Sequence, residues 1–235
     1  SPRARRRAVL YIHGATFPSS LAMFWRFGEV SWADTLTRAG FHVFGLDFLG
    51  FGASDRYAET PGAGGHDHAP GRAHHVQDQI AAAVHHVRES VGVERIDLIA
   101  HSWGTMPAAL FATSHPRLVN KLALFAPITP RSGEEASSSG PWYMVTADDQ
   151  WNRFSGYVPQ GEPLLIPRDW FDPWAAAYLA SDPDSATRSP AGALEVNATR
   201  WASCSWCSSR RLTSMHPARG RSPAAGSVFS LARRA

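Results

Sequence analysis

Apolar positions along the chain fall into two patterns, short dense runs and stripes at helical spacing. AVLYIH (Ala8–His13) joins apolar, β-branched and aromatic residues, is closed by Gly14, and predicts a strand. SWADTLTRAG predicts a helix, with Ser31 as its N-cap, Asp34 placed for a capping box and Gly40 as its stop. FHVFGLD predicts a second strand running into the glycine-rich turn FLGFGASDR. In the helix expected near Ala73–Ser90, the residues Val76, Ile80, Val84, Val87 and Val91 make one apolar stripe. The strand RIDLIA, a helix after Ser102 and the strand KLALFA follow. Four dense apolar strands separated by helices imply an α/β fold whose mostly parallel sheet is covered on both faces.

After Pro127 the pattern changes. Residues 131–180 hold nine aromatics, among them Trp142, Trp151, Trp170 and Trp174, and WFDPWAAAYLASD predicts a helix. Such a segment fits either a small second core or a lid walling an apolar pocket. The last forty residues differ again: five are Leu, Ile, Val or Phe, and eight are Ser. That composition offers no strand, cap or periodicity, and buries too little surface to offset chain ordering. The expected division is a core over 1–127, a lid or cap over 128–195, and an unstructured basic tail over 196–235.

Composition sharpens this picture at few points. With 235 residues and 44% hydrophobic content, the chain suits one sizeable core. No apolar run approaches the roughly 18 residues of a membrane span. The basic start SPRARRRAV is not followed by a leader's apolar segment, so the compartment read by default is the cytoplasm. Residues 196–235 carry seven Arg and no Asp or Glu, which leaves the remainder at −4 within a total of +3. A basic tail on a slightly acidic body is not a nucleic-acid face with interleaved aromatics. Cys204 and Cys207 form a lone CxxC with no second pair to complete a metal or redox site. His66, His68, His74, His75, His85 and His86 cluster in sequence, but neighbours on a helix face apart, so they read as solvated and no metal or other cofactor is expected.

The chemistry lies in Ala100-His101-Ser102-Trp103-Gly104, which has the form of a nucleophile elbow between a strand and a helix. So tight a turn needs small residues two before and two after the serine, here Ala100 and Gly104. Ser102 also falls at a helix start, where N–H groups and the dipole favour negative charge. In YIHGATFPSS, a His-Gly turn after the first strand can aim the Ala15 N–H at the same space as that of Trp103. Ala15 and Trp103 are therefore the candidate oxyanion donors, and His13 is read as a brace for the loop rather than a base.

HGAT, GLDFLGFGASDR and AHSWGT, in this order and spacing, resemble the α/β-hydrolase superfamily, over about residues 8–127 and the lid to about 185. They are similar to its esterase, peptidase and C–C hydrolase-like members with a lid after the central strands. The resemblance implies a serine hydrolase with Ser102 as nucleophile, cleaving an ester or related acyl bond of a small, partly apolar substrate. It implies a mainly structural role for Asp47 and Asp55. It also implies a catalytic acid after a further strand and a histidine after the last one. Ten of the eleven histidines lie at or before His115, which leaves His216 as the late candidate. Ten acids lie between Ser102 and His216, and none follows a recognisable strand end. The family's leading strands are not visible either, and the 22 Arg against Lys121 alone fit a GC-rich gene whose frame shifts between about 185 and 200. The alternative expectation is thus a catalytically incomplete scaffold with an exposed sheet edge.

Overall fold

The computed structural model describes residues 6–55, 72–128 and 142–182, with the backbone of three later strands, 195–200, 210–214 and 227–233. The four apolar runs are β1 (Arg7–Ile12), β2 (Phe41–Leu46), β3 (Ile96–His101) and β4 (Val119–Phe125). All pair in parallel, with β1 between β2 and β3 and Ile12 level with Leu46 and Ala100. Parallel neighbours need crossover connections. These are α1 (Trp32–Arg38), α2 (Gln77–Val91) and α3 (Thr105–Ser114).

β1 and β2 are buried along most of their length because both sheet faces are covered there, β3 is fully buried on one face and partly on the other, and β4 is largely exposed. Leu10, Ile12, Leu46, Leu98 and Ala100 pack with Ile80, Val84, Val87 and Val91 of α2 in the larger core. Val9, Tyr11 and Val43, which alternate with them along the strands, meet Met23 and Ala33 on the opposite face. The capping box of α1 forms as expected: Asp34 N–H donates to Ser31 Oγ at 3.0 Å, and Ser31 N–H to Asp34 Oδ2 at 2.9 Å. The second helix starts at Gln77, later than its stripe predicts, because residues 73–76 form turns. Gly92, at φ 72°, ends it.

Past Pro127 come β5 (Trp142–Thr146), α4 (Ala147–Ser155) and α5 (Arg168–Ala180). A second capping box, Thr146 with Asp149, opens α4. The aromatics form a second core: Phe171, Trp174 and Tyr178 are buried against Phe17, Trp25 and Phe27 of the loop leaving β1. Trp174 stacks on Tyr178 with centroids 5.1 Å apart and donates from Nε1 to Leu21 O at 2.9 Å.

Three further strands are described in the late chain. β6 (Glu195–Arg200) pairs antiparallel with β5, and β7 (Arg210–Ser214) pairs antiparallel with β8 (Ser227–Arg233). β8 runs parallel beside β2, so the sheet order is β4-β3-β1-β2-β8-β7. β8 thus pairs with the backbone N–H and C=O groups that the edge of β2 presents. His66, His68, Cys204, Cys207 and His216 lie outside the described residues. Among those described, no helix is long and apolar enough to cross a membrane.

Candidate active site

β1 and β3 are parallel neighbours, so the residues leaving them emerge side by side at one end of the sheet. Here Ser102 takes φ 50°. That left-handed conformation costs an L-residue about 1–2 kcal/mol and persists only where surrounding structure enforces it.

The enforcing contacts explain the small residues of the motif. Ala100 is fully buried. A Cβ on Gly104 would lie 2.8 Å from Ile12 O and closer still to His13 O, so only glycine lets the helix start sit on the end of β1. A Cβ on Gly14 would be 3.2 Å from both Ser102 Cβ and His101 Nδ1. The His-Gly turn therefore passes directly beside the serine. A 3₁₀ turn, Ser102–Gly104, carries the chain into α3.

Ser102 and Gly14 are thus brought together, with Ala15 and Trp103 next along the chain on either side. Ala15 packs partly buried against the larger core. Trp103 is buried, its ring edge-on to Phe48 with centroids 5.5 Å apart. His101, half-buried behind the serine, tilts over Phe125 with centroids 5.2 Å apart. Burial lowers the His101 pKa.

His13 holds two turns together. Its Nε2 accepts from Phe48 N–H at 3.1 Å, which fixes the proton on Nδ1, and Nδ1 donates to Gly14 O at 2.6 Å. Burial pushes its pKa down to about 4, against the opposing pull of the Gly14 bond and helped by His101. A neutral imidazole bonded at both nitrogens braces the loop. Asp47 is structural too: Oδ1 accepts from Ser19 N–H at 2.8 Å, and its carbonyl accepts from Ser54 Oγ at 2.6 Å.

The His13 arrangement has a pH signature. Its folded pKa lies below the unfolded value near 6.5, so the unfolded chain binds more protons between the two. Stability is then full above about pH 6.5 and falls by about 3 kcal/mol as pH drops towards 4. His101 and His75, both lowered chiefly by burial, add to the same trend. Asp34, held low chiefly by its Arg26 hydrogen bond, contributes a loss only below the ordinary carboxylate range. Urea denaturation at pH 7 and pH 4.5 measures this, and His13→Gln is expected to flatten the difference. An unchanged slope would locate the effect elsewhere.

Two features were not anticipated from sequence. Thr105 Oγ1 donates to Ser102 O at 2.6 Å and accepts from Ile128 N–H at 3.2 Å. Ala126, at the end of β4, also has positive φ, 48°. The hydroxyl in SWGT was the available signal for the first; nothing in the sequence marks the second. Among the described residues, Ser102 Oγ has no hydrogen bond to an imidazole or carboxylate. No group of three potential ligands that could hold a metal ion occurs among them.

A parallel sheet whose strands are joined by crossover helices defines the α/β class. The sequence pattern of the alpha/beta hydrolase fold matches residues 7–220, and the chain belongs to that family. No curated protein matches the chain. Among solved structures, it is similar to the thioesterase domain of the curacin biosynthetic pathway, with TM-score 0.52 and 18% identity over 84% of this chain and 63% of that one. It is also similar to epoxide hydrolase A of Mycobacterium thermoresistibile, with TM-score 0.48 and 17% identity over 77% and 66%. A carboxylesterase of Nitrososphaera gargenis matches with TM-score 0.47 and 13% identity over 73% and 58%. The chain spans less than two thirds of the length of each, and identities this low bear on the fold alone.

Proposed function

We propose that the protein is a serine hydrolase cleaving an ester or related acyl bond of a small, partly apolar substrate. The observation that carries this reading is Ser102 in a left-handed conformation at the strand-to-helix turn, pressed against Gly14. In this reading Ser102 Oγ attacks the acyl carbon. The backbone N–H groups of Ala15 and Trp103 hold the oxyanion, each worth about 3 kcal/mol in such sites. In this reading α4 and α5, tied by their aromatic core to the loop after Ala15, serve as the lid over the substrate. An aspartate at the elbow would support epoxide or haloalkane chemistry instead; serine favours acyl transfer.

A second reading is a family scaffold without activity. It is favoured by the absence, among the described residues, of any imidazole or carboxylate bonded to Ser102 Oγ. Labelling with a fluorophosphonate probe decides between the two. The expected outcome is a covalent adduct on the peptide containing Ser102, absent in Ser102→Ala. A folded protein that takes up no label establishes the scaffold and removes the hydrolase reading.

A further inference from the structure

The geometry points to Thr105 as a positioning residue that fixes Ser102 and couples it to the segment leading out of β4. That role rests on the hydrolase reading above. Among the described residues, Ser102 and Ala126 are the two non-glycine positions at positive φ, and they lie at the ends of the neighbouring strands β3 and β4. Thr105 connects them. Its backbone N–H and its Oγ1 both bond to Ser102 O, the latter at 2.6 Å. The same hydroxyl accepts from the N–H of Ile128, two residues past Ala126.

A threonine inside a helix ordinarily spends its hydroxyl on its own preceding turn. Thr113 does so here, donating to Ala109 O and Leu110 O. Thr105 differs in using its acceptor side as well, across a gap of 23 residues, and in being almost wholly buried. A buried hydroxyl with donor and acceptor both engaged has one rotamer that satisfies them, so it sets the two segments relative to each other. One end of that link is the serine carbonyl, whose direction follows from the same backbone torsions that aim Oγ. Thr105 makes no contact with a substrate in this role; it acts through Ser102.

Thr105→Val keeps the shape and removes both bonds. The valine variant is expected to react with a fluorophosphonate about 10- to 100-fold more slowly than the wild type, as small misplacements of a reacting group do. Thr105→Ser should restore the rate. Amide exchange at Ile128 should quicken in the valine variant and recover in the serine variant, a change that general loosening would not confine to this residue. Thr105→Ala serves for the same comparison if the valine variant does not fold. Normal labelling of a folded valine or alanine variant, or unchanged exchange at Ile128, overturns the role of Thr105 while leaving the hydrolase reading intact. A folded wild type that does not label at all overturns both.

Discussion

Gly104→Val is expected to cost about 3 kcal/mol or more, a large fraction of the stability of an ordinary domain. The first added atom would overlap Ile12 O and His13 O, which are backbone atoms and cannot rotate away. Relief would require lifting the start of α3 off the end of β1, and with it the turn carrying Ser102. The cost is steric rather than conformational, since Gly104 has an ordinary φ of −58°. Gly92 makes the useful contrast: its φ is 72°, but the nearest atom to an added Cβ is the end of the Arg6 side chain at 3.6 Å. Gly92→Ala should therefore cost only about 1–2 kcal/mol, the left-handed penalty alone. Urea denaturation of the two variants, with Gly104→Ala alongside, measures the difference. A Gly104→Ala protein as stable as the wild type would mean that α3 does not start against β1.

Trp174→Ala is expected to lose about 3–5 kcal/mol. Trp174 is fully buried, stacked on Tyr178 and met edge-on by Phe17 at 5.4 Å and by Phe154 at 5.3 Å. Truncation would leave a cavity and strip Leu21 O of its donor. Because that core ties α5 to the loop immediately after Ala15, the loss should fall first on α4, α5 and residues 17–27. Limited proteolysis is expected to cut there before the sheet opens, with near-ultraviolet circular dichroism reporting the loss of ordered aromatics. Simultaneous loss of both regions would show that the two cores unfold as one unit.

The parallel sheet was legible because each strand carries its own signal: burial forces dense apolar runs in β1 and β2, and Ser31 with Asp34 announces the helix between them. The elbow was legible for a similar reason, since crowding by Ile12 O and His13 O excludes everything but glycine at 104. Long-range pairing is a different matter. β8 is held by the edge of β2 rather than by its own composition, so no local pattern marks it. The Thr105 bridge joins residues 23 apart through one hydroxyl, and a lone threonine at a helix start reads as ordinary. His216, the late candidate for a base, lies outside the described residues. The aromatic segment showed its apolar character in sequence, but not that its core also takes in Phe17, Leu21, Trp25 and Phe27, far upstream.

Among the described residues β4 has a strand neighbour on one side only, and Leu124 and Phe125 are exposed beside that open margin. Its run from Val119 to Phe125 contains a single charge, Lys121, which is also the sole lysine of the chain. One ammonium group thus guards the margin against zippering onto another molecule. Acetylation or any amine-capping reagent would act on that side chain and, the amino terminus aside, on no other. Capping that amine removes the one charge of the run, and a rise in light scattering after acetylation is the expected result.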